Sequence, residues 1–96
     1  MIDQRYITFV KNTVSSFDPD GENRYFVFGS STRKSRFGDV DIGVVGNTKH
    51  RKNLALLRER FQDSTFPYFV DVVDFDEAPP EFKKYVHNSE KLVWIN

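Results

Sequence analysis

Asp39 and Asp41 stand one residue apart, after a Gly29-Ser30-Ser31 turn and a short basic loop. In a strand, alternate side chains share a face, so the two carboxylates project together with Cα atoms roughly 6.5 Å apart, a gap that suits a metal ion. Val40, Ile42 and Val44 take the opposite face and are expected to be buried. Gly43, on the carboxylate face, is expected to leave room for something bulky to approach. A third acid, Asp71, sits inside the apolar run Tyr68 to Val73, where it shares a face with Phe69 and Val73. Carboxylates from two strands are the usual protein contribution to a divalent-cation site for phosphoryl or nucleotidyl transfer. Mg²⁺ prefers hard oxygen ligands, keeps several waters and takes further ligands from substrate phosphates, so an incomplete cage is the expected design. Asp39 and Asp41 are the expected metal holders. Asp71 would ligate the catalytic ion and accept the proton of an incoming hydroxyl. Asp74 is the alternative third carboxylate, since a bulge would reverse the parity of β-strand positions.

Gly29-Ser30-Ser31 would offer backbone N–H groups and a hydroxyl to the β- and γ-phosphates, because a turn without bulky side chains lets phosphate approach the main chain. Arg33, Lys34 and Arg36 on the following loop would offset remaining phosphate charge. A Gly-Ser pair alone carries almost no information. Joined to a basic loop, an Asp-x-Asp strand and a third strand aspartate, it is far more specific.

The elements that must hold these residues are legible from periodicity. Ile2, Tyr6, Phe9, Val10, Val14 and Phe17 recur at helical spacing, and the helix should stop before the Asp18-Pro19-Asp20-Gly21 turn. Tyr25 to Phe28 reads as a strand buried on both faces. Asp39 to Val45 is a second strand closed by Gly46. Asn47 or Thr48 is expected to cap a helix that turns Leu54, Leu57 and Phe61 inward. Tyr68 to Val73 is a third strand, and a helix follows from Pro79-Pro80 with Phe82, Tyr85 and Val86 on its buried side. Leu92 to Ile95 is an edge strand or a patch covered by a partner. This order predicts an α/β fold, with helices packed on a small mixed β-sheet.

The 96 residues are 39% hydrophobic and 16% aromatic, with ten phenylalanines, enough for a single domain spanning 1–96. Fourteen basic and fourteen acidic side chains give zero net charge, which argues against nucleic-acid binding through bulk electrostatics. With no cysteine there are no disulfides and no thiolate chemistry. His50 and His87 have no neighbours at zinc-ligand spacing. The absence of an apolar run near the roughly 20 residues of a membrane span leads to an expectation of a soluble, cytoplasmic protein with no membrane partner.

Phe28-Gly29-Ser30 through Gly38-Asp39-Val40-Asp41-Ile42-Gly43, with the Val70-Asp71-Val72-Val73-Asp74 strand and the Pro-Pro helix, resembles the polymerase-beta-like nucleotidyltransferases in their minimal form. The resemblance covers Tyr25 to about Trp94. It implies the polymerase-beta-like fold and Mg²⁺-dependent transfer of a nucleoside monophosphate, AMP from ATP in the simplest case, to a hydroxyl. It aligns Ser30 with the phosphate-binding serine, Asp39 and Asp41 with the metal-binding pair, and Asp71 with the third carboxylate. In this chain Ser31-Thr32-Arg33-Lys34 replaces an Ala-Arg-Gly-like sequence, and the loop is shorter than in many members. Minimal members commonly pair with a helical HEPN protein in toxin–antitoxin systems, so the resemblance implies a tyrosine of such a partner as acceptor. The competing reading is a noncatalytic nucleotide- or partner-binding protein that neutralises a partner by complex formation.

Overall fold

A computed structural model describes residues 2–32, 38–46, 53–89 and 92–96. Helix α1 (Gln4–Phe17) begins at Asp3, whose side chain accepts from the Arg5 N–H at 2.9 Å and so satisfies one of the open donors of the first turn. The helix stops at Asp18, and Gly21 takes a φ of 62° in the turn that follows. Strand β1 (Asn23–Phe28) leads to a 3₁₀ turn over Ser30–Thr32. Strand β2 (Asp39–Gly46), helix α2 (Leu54–Gln62), strand β3 (Phe69–Asp74), helix α3 (Pro80–Ser89) and the short strand β4 (Val93–Trp94) complete the order.

The sheet runs β3-β2-β1-β4 and is mixed, as expected: β2 is antiparallel to β1 and parallel to β3, and β4 is antiparallel to β1. Parity sorts the side chains. Tyr25, Val27, Val40, Ile42, Val44, Val70 and Val72 lie on one face, where α1 delivers Val10, Val14 and Phe17 and α2 delivers Leu57 and Phe61 to the main core. Fully burying each such side chain contributes roughly 1.5–3 kcal/mol, so this face carries most of the stability. Helix α2 is capped by Asn53, whose side chain accepts from the Ala55 N–H at 3.0 Å, and not by Asn47 or Thr48, which lie outside the described residues.

The opposite face, which carries the carboxylates, has an apolar cluster of its own. Phe26, Phe28 and Phe75 are buried there, and Phe82 of α3 reaches Phe28 and Phe75 with ring centroids 6.2 and 5.8 Å away. The side chains of Tyr85 and Val86 lie outside the described set. The Tyr25 to Phe28 part of β1 is therefore buried on both faces, in agreement with its uninterrupted apolar sequence. The space above Gly43 is not left for a ligand: a Cβ there would collide with the Phe26 ring, so the missing side chain makes room for the protein's own aromatic.

The turn between α1 and β1 is fixed by one buried acid. Asp18 accepts from the Glu22 N–H at 3.2 Å, the Asn23 N–H at 3.1 Å and the Tyr25 hydroxyl at 3.0 Å. Hydrogen bonds to a charged acceptor are stronger than neutral ones and hold β1 against the helix end. Asp18→Ala is expected to cost about 2–3 kcal/mol, and Tyr25→Phe about 1 kcal/mol. Urea denaturation checks this, with the midpoint falling and the slope unchanged.

Candidate functional site

The site grows from the end of β1 and the start of β2. Phe28 pairs with Asp41, so the chain leaving β1 passes directly beside that carboxylate. Gly29 has a φ of 82°, in the left-handed region, and a Cβ on it would collide with Asp41 Oδ2. Both requirements select glycine at this position. The turn is then locked by Thr32, whose N–H and hydroxyl both donate to the Gly29 carbonyl, at 3.1 and 2.8 Å. The Ile2 N–H donates to the Ser31 carbonyl at 2.7 Å, tying the segment before α1 to the same turn.

Ser30 lies in the turn, and its side chain is outside the described set. Ser31 is fully buried, and its hydroxyl has no hydrogen-bond partner among the described residues. The Ser31 hydroxyl is thus enclosed by protein, while Ser30 is the residue aligned with the phosphate-binding serine. Arg33, Lys34 and Arg36 fall outside the described residues.

Asp39 is exposed and Asp41 half-buried at the start of β2. The parallel register sets Asp39 beside Phe69 and Asp41 beside Asp71, so all three aspartates share one face of adjacent strands. β3 pairs continuously from Phe69 to Asp74 without a bulge, which leaves Asp74 with the opposite parity. Asp74 accepts instead from the Asp76 N–H at 3.2 Å in the turn after β3. Across the sheet the order is thus the glycine turn at β1, the aspartate pair on β2, and Asp71 with Phe69 on the edge strand β3.

Asp71 has a neighbour that the sequence did not announce. Arg58 of α2 brings Nη2 to 3.6 Å from Asp71 Oδ1, and the same nitrogen donates to the Val72 carbonyl at 3.1 Å. Phe69 is 78% exposed, so its ring flanks Asp39 uncovered on the outer side of the site.

A profile for the family described as polymerase beta, nucleotidyltransferase, matches residues 22–96. The chain belongs to this family. The matched stretch takes in the glycine turn and Asp39, Asp41 and Asp71, and α1 precedes it. The four-stranded mixed sheet with its helices is consistent with the family's fold. No curated protein matches the chain. The nucleotidyltransferase domain has no helix, among the described residues, that is long and apolar enough to cross a membrane.

The donor set of this nucleotidyltransferase domain suits a hard dication. Asp39 and Asp41 offer carboxylate oxygens from one strand face, and the close approach of Gly29 keeps the turn within reach of Asp41. Among the described residues no three acidic, histidine or cysteine side chains converge as a ready cation cage.

Proposed function

We propose that the domain transfers a nucleoside monophosphate, AMP from ATP in the simplest case, to a hydroxyl acceptor. The observation that carries this reading is the packing of the phosphate-turn glycine directly on Asp41, which joins an anion-binding turn to a cation-binding carboxylate. Ser30 and the turn backbone would receive the β- and γ-phosphates, with Arg33, Lys34 and Arg36 proposed to offset their charge. Asp39, Asp41 and Asp71 would hold Mg²⁺, with two ions as the expected complement. When bound, the metal supplies charge neutralisation for the triphosphate and polarises the α-phosphorus. With the turn on the β1 side, the acceptor is left the β3 side, where Asp71 would take the proton of its hydroxyl. The new bond joins the acceptor oxygen to the α-phosphorus, the α–β anhydride bond breaks, and pyrophosphate leaves.

The acceptor we propose is a protein hydroxyl, a tyrosine of a HEPN-type helical partner, which would make the domain an antitoxin acting in the cytoplasm. Zero net charge and the exposed Phe69 ring at the acceptor side support a protein acceptor over a nucleic-acid end. Each of the four α-labelled nucleoside triphosphates, incubated with Mg²⁺, the domain and a lysate of the source cells, provides the test. The expected result is one labelled protein band, strongest with ATP and absent without Mg²⁺. Binding of ATP with no labelled product under any condition would overturn transfer in favour of a binding role.

A further inference from the structure

Arg58 belongs to a helix that packs on the far side of the sheet, with its neighbours Leu57 and Phe61 in the main core. Asp71 faces the near side, in register with Asp41. The guanidinium meets Asp71 only because β3 is the edge strand, so a long side chain can pass around it. Its hydrogen bond to the Val72 carbonyl fixes the charge to main chain, which cannot swing away. At 3.6 Å the contact with Asp71 is an ion pair without a hydrogen bond, and both side chains are partly open to water, at 40% and 65% exposure. Such a contact biases a carboxylate but does not lock it.

From this geometry we infer that Arg58 is a positioning residue for Asp71, setting how strongly a cation can recruit that carboxylate. The inference rests on the metal-site reading of Asp39 and Asp41 and names a control on that same site. While Asp71 is paired with Arg58, it stays on the acceptor side and does not complete a cage with the β2 aspartates. The three acids share one sheet face, and among the described residues no three such side chains form a ready cation cage. A cation that draws Asp71 inward must do so against a fixed positive charge. Arg58 thereby sets how readily Asp71, proposed both to ligate the catalytic ion and to take the hydroxyl proton, joins the β2 pair.

Mn²⁺ binding to the intact chain without nucleotide, followed by electron paramagnetic resonance of the free ion, tests this without relying on activity. Releasing Asp71 from its ion pair, so that it can join the β2 aspartates, is expected to tighten Mn²⁺ binding about two- to fivefold in Arg58→Gln. Arg58→Lys, which keeps the charge, is expected to remain close to the parent protein. The gain should vanish in the Arg58→Gln, Asp71→Asn double variant relative to Asp71→Asn alone, a coupling that a purely structural role would not produce. Equal or weaker Mn²⁺ affinity in Arg58→Gln, or an equal gain in both backgrounds, would overturn the proposal while leaving the metal site standing. No Mn²⁺ binding by any of these proteins would overturn the metal site itself, and the proposal with it.

Discussion

Asp41→Asn is expected to lower kcat/KM for nucleotidyl transfer by about 100- to 1,000-fold, a loss of roughly 2.7–4 kcal/mol of transition-state stabilisation. The amide has nearly the shape of the carboxylate, so it fits against Gly29 and leaves β2 paired with β1 and β3. What it removes is a formal charge and a hard oxygen ligand. The melting temperature should therefore stay within a few degrees of the parent while activity collapses. Asp41→Glu restores the charge but not the function, because the added methylene has to fit where Gly29 already leaves no room for a single carbon. Steady-state kinetics of pyrophosphate release, with circular dichroism melts on the same samples, check both variants. Retained activity in Asp41→Asn would remove Asp41 from the proposed machinery.

Gly43→Val is expected to be the most damaging substitution for stability. Gly43 has ordinary backbone angles, so the restriction is one of space: Phe26 is 1% exposed and its ring occupies the position of the missing side chain. The ring has no free direction of retreat, with Phe28, Phe75 and Trp94 ring centroids at 5.6, 5.2 and 5.0 Å. Overpacking a core commonly costs 1–3 kcal/mol, and three heavy atoms set directly into an enclosed ring should reach about 3–5 kcal/mol. For a domain of this size that lowers the melting temperature by roughly 15–25 °C. Gly43→Ala with Phe26→Leu should recover much of the loss of Gly43→Ala alone, a coupling that thermal denaturation can measure. A melting temperature within a few degrees of the parent would contradict the packing described.

Much of this arrangement was legible in the sequence wherever a short-range pattern decides it. The apolar spacing from Ile2 to Phe17 marked α1, and the alternation around Asp71 placed that acid on the face later seen in register with Asp41. The unbroken Tyr25-Phe26-Val27-Phe28 run announced a strand buried twice. Gly43 was read as leaving room for something bulky, and the bulky group is the Phe26 ring, whose identity the sequence did not give because it belongs to another strand. The burial of Ser31 depends on the packing of the turn against the rest of the fold, which the Gly-Ser-Ser pattern does not carry. Thr32, three residues beyond Gly29, carried a local turn signal that could have been read. Arg58 carried none. On its helix it is an ordinary arginine beside buried Leu57, and its meeting with Asp71 follows from β3 lying at the sheet edge, a fact of strand order.

The absence of slack between Gly29 and Asp41 also governs how two ligands would feel one another. A turn that had to shift to embrace an anion would push on the carboxylate, and a carboxylate drawn toward a cation would open or close space under the turn. Occupancy on one side thus enters the free energy of occupancy on the other. Thermodynamic reciprocity makes the two influences equal in size. Nucleotide affinity measured without a dication and dication affinity measured without nucleotide would then each describe only one edge of a square whose opposite edges differ by the same factor.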